Sequence, residues 1–149
     1  VIERGMPAVS GLKAQIDRDT DAFNLVSAAF RMPKETDEEK KLRSQAIQDG
    51  TLVSTEVPFE TMTLALDALK NAYRLLDGFN TNAASDLGVA ALELLASVKG
   101  AWLNVLINIG SLKDKEKAEE FRTKGLALVH EAEELANGIY ARIEGIIAG

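Results

Sequence analysis

The chain has 149 residues, the length of one ordinary domain, and we expect a single domain over residues 1–149. Its net charge of −6 disfavours binding to nucleic-acid phosphates and to anionic membrane surfaces. The absence of cysteine excludes disulfides, thiolate zinc sites and a cysteine nucleophile, and the single histidine excludes metal motifs that need two. The longest uncharged run, residues 100–112, is too short to span a bilayer, so we expect a soluble, cytoplasmic protein.

Apolar residues recur at spacings of three and four along the whole chain, which is typical of helices that bury one face. Pro33 predicts the end of a first helix, and Thr36 with Glu39 forms a capping box that predicts the start of a second. Pro58 predicts a joint before a third helix, and Gly78 suits the end of that helix. The predicted helices run from about Ser10 to Pro33, Thr36 to Val57, Phe59 to Asp77, Ser85 to Ile109, and Asp114 to beyond Ile143. The predicted fold class is all-α, an antiparallel bundle of about five helices.

Asp19 is the first polar residue that departs from this pattern. On the first predicted helix it lies about 20° from Leu12 and Phe23, inside the apolar stripe. A carboxylate that faces a core is costly unless it is paired, so it contacts a helix terminus, an arginine or a ligand. Asp19 is therefore predicted as either a structural residue or a site residue.

A polar stripe runs along the fourth predicted helix beside its apolar face. Its members follow one another at spacings of 7, 4, 7 and 4, and they are Asp86, Glu93, Ser97, Asn104 and Asn108. Either the stripe forms hydrogen bonds between helices, or it lines a ligand site. Asp86 and Asn104 are about 27 Å apart along one helix, so they mark two regions or one region completed by a second subunit. We assign Asn104 and Asn108 to a contact between helices or subunits.

Other conspicuous residues are interpreted as structural. His130 lies about 180° from Phe121 on the last predicted helix and is expected to face water. The charge-dense stretches at residues 34–43 and 113–124 mix signs at helical spacing and are interpreted as solvated faces. The aromatic residues expected in the core are Trp102, Tyr73 and Tyr140.

Six short segments follow one another in a characteristic order and spacing between residues 19 and 114. They are Asp19-x-x-Ala22-Phe23; Arg31-x-Pro33-Lys34-x-Thr36-x-Glu38-Glu39 with Arg43; Val57-Pro58; Gly78-x-Asn80 with Ser85-Asp86; Gly100-Ala101-x-x-Asn104-Val105-x-Ile107-Asn108; and Asp114. In these segments the chain resembles the cyclodeaminase domain of the formiminotransferase-cyclodeaminase family and the related bacterial methenyltetrahydrofolate cyclohydrolases.

The resemblance implies an all-α enzyme that acts on the one-carbon unit between N5 and N10 of tetrahydrofolate, usually as a homodimer or a larger homo-oligomer. It implies no cofactor besides this folate substrate and no metal. The expected reaction converts 5-formiminotetrahydrofolate to 5,10-methenyltetrahydrofolate with release of ammonia. The alternatives are a methenyltetrahydrofolate cyclohydrolase and a non-catalytic helical module for binding or scaffolding.

The predicted site residues lie within the matched segments. Asp19 and Asp86 are predicted as catalytic carboxylates, because the reaction needs an acid for the departing amine and negative groups beside the cationic amidine. The predicted substrate-binding residues are Lys34, Arg43, Asn80 and Ser85. The two cations of this set are expected to hold the anionic glutamyl tail of the folate.

The chain departs from the family pattern at two places. Phe79 stands between Gly78 and Asn80, where the pattern has glycine directly before asparagine, so a differently shaped turn is expected. Residues 1–11 contain no Pro-Gly-Gly-Gly-Ser-type segment, and we expect the N-terminal helices of the family to be missing. The fourth predicted helix is apolar over most of its circumference, so further helices or a second subunit are expected to cover it.

Overall fold

The computed structural model describes the backbone of residues 2–78 and 80–149, and the side chains of residues 10–78 and 80–149. Within these ranges it contains four α-helices: α1 (Ile2–Phe30), α2 (Asp37–Leu75), α3 (Ala84–Ser111) and α4 (Lys115–Ala148). A 3₁₀ turn at Thr81–Ala83 precedes α3, and the described residues form no strand. Successive helices pack antiparallel, so the predicted all-α bundle is confirmed.

The predicted joint at Pro58 is wrong, because α2 continues through this residue as one helix. Proline has no backbone N–H, so it leaves the carbonyl of Ser54 without its helical donor. The side-chain amide of Asn108 in α3 donates to that carbonyl at 2.6 Å. A hydrogen bond from a neighbouring helix therefore replaces the one that Pro58 cannot make, and the chain has four long helices rather than five.

Other predicted helix boundaries agree more closely with the structure. Thr36 accepts from the backbone N–H of Glu39, whose carboxylate accepts from Thr36 in turn, which confirms the capping box. Asp114 caps α4 by accepting from the backbone N–H of Lys117 at 2.9 Å. α1 begins earlier than the predicted start near Ser10. The turn shape expected at Phe79 concerns a residue outside the described part of the chain.

The core lies between α2, α3 and α4. Trp102 of α3 is buried as predicted, and its ring packs directly against Gly125 of α4, where an added Cβ would lie 2.2 Å from the ring. The two tyrosines predicted in the core, Tyr73 and Tyr140, are instead about half exposed. The largest fully buried side chains are Met62, Leu66, Leu69, Ile109, Ile139, Val57, Val98, Val105 and Thr55.

Among the described elements, α1 contacts α2 alone. Its buried face carries Ala22 and Ala29, whereas Ile16 and Phe23 are each 69% exposed. Small residues face α2 because the two backbones approach closely, with an added Cβ on Gly50 falling 3.2 Å from the backbone nitrogen of Val26. The larger apolar stripe of α1 therefore points away from the bundle.

α3 is apolar on two opposite faces. Its inner face, which includes Val98 and Val105, packs against α2 and α4. Its outer face exposes large apolar side chains, namely Val89, Leu92, Leu103 and Ile107. By length and composition alone, the segment Thr81–Ser111 is apolar enough to cross a membrane, and only 22% of its most apolar window is buried within the bundle. The chain's own described helices leave the outer face uncovered, as the sequence indicates.

Candidate functional site

The antiparallel order of the helices distributes the predicted site residues over both ends of the bundle. Asn80, Ser85 and Asp86 lie at the start of α3, beside the end of α4. Lys34 and Arg43 lie at the opposite end, in the α1–α2 loop and the first turns of α2. Because α3 has 28 residues, the two ends are about 40 Å apart. One chain therefore does not bring the two predicted groups together.

Asp19 is placed differently from the sequence prediction. It is exposed on α1 and does not face the core, so the predicted burial of this carboxylate is wrong. Its neighbour Arg18 forms a salt bridge with Glu60 of α2. Asp19 therefore lies near the middle of the bundle along its long axis. Asp86 lies about 25 Å further along the bundle axis, so the two predicted catalytic carboxylates are not adjacent within one chain.

Two of the predicted substrate-binding residues have structural contacts. The Arg43 guanidinium lies 5.5 Å from the centre of the Phe30 ring and donates to the Phe30 carbonyl at 3.3 Å, so it caps the end of α1. Asn80 caps the 3₁₀ turn by accepting from the backbone N–H of Asn82 at 3.0 Å. Lys34 and Ser85 are exposed.

A cavity of about 350 Å³ lies between the start of α3 and the end of α4. This is within the size range of small-molecule sites, which have mostly apolar walls and a few polar groups. Gly88 allows the close approach of the helices here, because an added Cβ would lie 3.2 Å from the side chain of Ile143. The cavity is lined by Ser85, Gly88, Val89, Leu92, Tyr140, Ile143, Glu144, Ile147 and Ala148.

Three polar side chains belong to this lining. They belong to Ser85, Tyr140 and Glu144, but the surface that faces the cavity is almost entirely apolar. Asp86 follows Ser85 in the first turn of α3 and is exposed, but it is not one of the residues that line the cavity. An apolar ligand, or the apolar part of a larger ligand, fits these walls.

Sequence reasoning missed the half of the cavity that α4 supplies. Tyr140 and Glu144 are one helical turn apart on α4, with Ile143 and Ile147 on the same face. An acid within an apolar face near the end of a helix was the signal that could have drawn attention to Glu144. Its pairing with Ser85 depends on the packing of α4 against α3, which local spacing does not encode.

Contacts beside the cavity hold the end of α2 against α4. Arg142 of α4 donates to the Leu76 carbonyl at 3.2 Å and to the Asp77 carboxylate at 3.1 Å. Further along α4, the ammonium of Lys99 in α3 donates to Glu133 and holds the pKa of that carboxyl below its usual value. These links fix α4 relative to α2 and α3, and so fix the walls of the cavity.

Among the described residues, no group of three or more His, Asp or Glu side chains is arranged to hold a metal ion.

Comparisons with known proteins agree on one family. A family model described as formiminotransferase-cyclodeaminase matches residues 1–125. A methenyltetrahydrofolate cyclohydrolase from Methylorubrum extorquens is 33% identical over 144 residues, which cover 97% of this chain and 69% of the relative. The formimidoyltransferase-cyclodeaminase of Gallus gallus is 33% identical over 138 residues, covering 92% of this chain.

The fold is also that of a solved relative. The crystal structure of a formiminotetrahydrofolate cyclodeaminase from Thermotoga maritima matches 99% of this chain and 68% of its own length, with a TM-score of 0.73 and 26% identity. By contrast, the chain spans only 25% of the Gallus gallus protein. The likeness to the two bacterial proteins therefore includes α4 and the cavity, whereas the family model ends before Tyr140.

Proposed function

The chain belongs to the formiminotransferase-cyclodeaminase family, and we propose that it converts 5-formiminotetrahydrofolate to 5,10-methenyltetrahydrofolate with release of ammonia. The observation that carries this proposal is the cavity between α3 and α4. Its lining includes Ser85, which belongs to the segments that carry the family resemblance, and Asp86 of the same segment follows directly in the chain. Its volume of about 350 Å³ suits part of a folate.

The reaction needs one proton to move between two nitrogens. N10 attacks the carbon of the protonated formimino group, and a bond forms between them. N10 then loses its proton, the amine nitrogen gains a proton, and the bond between carbon and amine breaks to release ammonia and leave the methenyl cation. A carboxylate that takes the proton from N10 and gives it to the amine balances the reaction and stabilises the cationic species.

Asp86 is the carboxylate that we assign to this proton transfer. It is exposed in the first turn of α3, directly after the lining residue Ser85, and the proposal requires that folate bound in the cavity extends its one-carbon unit round α3 to this carboxylate. Asp19 lies about 25 Å away along the bundle, so it contributes to this site only if it comes from a second copy of the chain.

Hydrolysis of the methenyl cation is the second candidate reaction. Here water attacks the same carbon and a base takes one of its protons. The bond between that carbon and N5 then breaks, N5 takes the hydroxyl proton, and a formyl group remains on N10. The relative named methenyltetrahydrofolate cyclohydrolase matches 97% of this chain, which favours this alternative. The same cavity and the same carboxylate serve either reaction, because both act on the carbon between N5 and N10.

Both reactions are tested by giving the protein 5-formiminotetrahydrofolate and 5,10-methenyltetrahydrofolate separately, while methenyl absorbance and ammonia are followed. We expect turnover of at least one substrate, with ammonia released only from the first. Asp86→Asn is expected to lower kcat about 10²- to 10⁴-fold, because the amide cannot transfer the proton. Asp17→Asn, on the exposed side of α1, is the control and is expected to keep full activity. Failure of the protein to act on either folate would exclude the proposed function.

We further propose that the chain works as a homodimer through the outer face of α3. The exposed apolar residues of this face are arranged almost symmetrically around position 98 of the helix. In an antiparallel pair, Val89 lies opposite Ile107 of the second copy, and Ala96 lies opposite its Gly100. Gly100 has open space where a Cβ would stand, so the two backbones can approach closely at the centre. Such a self-complementary face is what a two-fold interface needs.

This dimer also accounts for the two groups of predicted substrate-binding residues. Antiparallel pairing sets the start of α3 in one copy beside the end of α3 in the other, which is the end that carries Lys34 and Arg43. A folate bound in the cavity of one copy then extends its anionic tail towards the cations of the second copy. Within one chain the cavity and the two cations are about 40 Å apart, and the proposed pairing brings the cavity of one copy closer to the cations of the other.

A further inference from the structure

The wall of the cavity between α3 and α4 is almost entirely apolar. Two of its lining residues, Gly88 and Ile143, are buried where the two helices meet. Other lining residues are apolar side chains open to solvent, with Val89 54% and Ile147 62% exposed. The cavity therefore stabilises a bound group by removing apolar surface from water, because its wall offers almost no hydrogen-bond partner.

The three parts of a folate differ in how well they suit such a wall. The pyrimidine ring of the pteridine carries several N–H and carbonyl groups, and burial of these groups without partners is destabilising. The glutamyl tail is anionic, and a charge is still more costly in an apolar site. The aminobenzoyl ring, which joins the other two parts, has two apolar faces and carries polar atoms only at its two ends.

We infer that the cavity binds the aminobenzoyl ring of the folate, with apolar side chains of α3 and α4 against its faces and its polar ends outside. This inference rests on the proposed function, because it takes folate as the ligand of the cavity. The volume of about 350 Å³ is sufficient, since an apolar cavity of about 150 Å³ already binds benzene.

This placement orients the rest of the folate. N10 is bonded to one end of the aminobenzoyl ring, so the one-carbon unit lies just outside the cavity. We place that end of the ring towards Ser85, because Asp86 follows this lining residue in the first turn of α3. The glutamyl tail is attached to the opposite end of the ring and therefore extends away from Asp86.

The test compares three small probes that each represent a part of the folate. 4-Aminobenzoylglutamate contains the ring and the tail, N-acetylglutamate contains the tail alone, and pterin contains the pteridine alone. Binding of each probe to the full chain is measured by titration calorimetry at several temperatures. We expect 4-aminobenzoylglutamate to bind at least about 10-fold more tightly than either other probe, with a negative heat-capacity change from the burial of apolar surface. Equal affinities for the three probes would overturn the inference.

Two variants with the same substitution on α4 locate the binding. Ile147→Glu places a charge at an exposed lining position and is expected to weaken the binding of 4-aminobenzoylglutamate at least about 10-fold. Leu126→Glu is the matched control, because Leu126 is 54% exposed on the same helix and does not line the cavity. Unchanged binding in Ile147→Glu, or equal weakening in both variants, contradicts the inference.

A second copy of the chain is the competing occupant, because Val89 and Leu92 belong both to the cavity and to the outer face of α3. The variant Leu103→Lys, which places a charge in that face, distinguishes the two occupants. Binding of 4-aminobenzoylglutamate by the unmodified protein and by this variant alike supports the inference. Binding by the variant alone assigns the cavity to the second copy and overturns it.

Turnover of the two folates by the same preparations separates this inference from the proposed function. Active enzyme whose binding of 4-aminobenzoylglutamate does not depend on Ile147 contradicts only the inference. Binding that depends on Ile147, without turnover of either folate, supports the subsite and contradicts the proposed reactions.

Discussion

Asn108 stabilises α2 at the point where Pro58 interrupts its hydrogen bonds. The side-chain amide of Asn108 donates to the carbonyl of Ser54, which lies four residues before the proline. An unpaired buried carbonyl costs about 1–3 kcal/mol, so this one bond offsets a defect that would otherwise favour a break in the helix. Pro58 and Asn108 both belong to the segments that carry the family resemblance, and the structure shows that they act as a pair. The prediction that Asn108 joins two helices is confirmed, whereas Asn104 is exposed and its predicted subunit contact stays a prediction.

Asn108→Ala is expected to lower the free energy of unfolding by about 1–3 kcal/mol, because it leaves the Ser54 carbonyl without a donor. In a Pro58→Ala background, Asn108→Ala is expected to lower the free energy of unfolding by less, because the N–H of the new alanine can donate to the Ser54 carbonyl. Urea unfolding of the four proteins in this double-mutant cycle measures the coupling. Asn137→Ala, at an exposed position on α4, is the control and is expected to change stability by less than about 0.5 kcal/mol. Additive effects of the Asn108 and Pro58 substitutions would contradict the pairing.

Individual site residues differ in how far the sequence could locate them. Ser85 was predicted from its segment, and it does line the cavity. Asp19 lies within an apolar stripe as predicted, but that stripe is exposed because α1 uses its small residues to approach α2. A helical wheel gives the relative positions of residues around a helix, but it does not show which of two apolar faces the neighbouring helix covers.

At the scale of elements, α1 is the most weakly attached helix, since it contacts α2 alone among the described elements. Glu60 of α2 links the two helices by accepting from the Arg18 guanidinium and from the amide of Gln15, the latter at 3.1 Å. The hydrogen bond from Arg18 is the main reason that the pKa of Glu60 lies below its ordinary value of 4.5. The charged form of Glu60 is therefore more stable in the folded protein than in the unfolded chain.

The sign of this shift predicts a loss of stability in acid. The contribution of Glu60 is fully present above its ordinary pKa of 4.5 and disappears as the pH falls through the lowered folded-state pKa. The free energy of unfolding is expected to fall less between pH 7 and pH 3 for Glu60→Gln than for the unmodified protein. The pair is half exposed, so the effect is at most about 1 kcal/mol. Glu134→Gln, whose neighbour is His130 on the same helix, is the control and is expected to behave like the unmodified protein.

The order and type of the elements could be predicted from the sequence, because capping residues and apolar spacing are local signals. The stop before Pro33, the capping box at Thr36 and the cap at Asp114 are each found in the structure. The continuity of α2 could not be predicted, since it depends on a hydrogen bond from a residue 54 positions away in the sequence. The same limit applies to the cavity, whose two walls come from helices that local patterns treat separately.

For the whole molecule, the outer face of α3 determines how the chain associates. Four large apolar side chains are exposed there, with Leu103 at 62% and Ile107 at 71%. Monomeric proteins rarely leave such a contiguous apolar patch uncovered. The proposed antiparallel pair covers this face and sets the two halves of the predicted site against each other.

Leu103→Lys is expected to convert the dimer to a monomer, because it places a charge in the proposed apolar interface. Sedimentation equilibrium over a range of concentrations measures the association. Leu126→Lys is the matched control, since Leu126 is 54% exposed on α4, outside this face, and is expected to leave the dimer intact. A monomeric unmodified protein, or a dimer that survives Leu103→Lys, would contradict the proposed interface.

The proposed function requires that folate binds between the start of α3 and the end of α4. The most direct measurement is a crystal structure of the chain with 5-formyltetrahydrofolate, a stable analogue in which oxygen replaces the departing amine. We expect the aminobenzoyl ring in the cavity lined by Ser85 and Ile143, with the formyl group next to Asp86. A ligand bound only at the opposite end of the bundle, beside Lys34 and Arg43 of the same chain, would contradict the account.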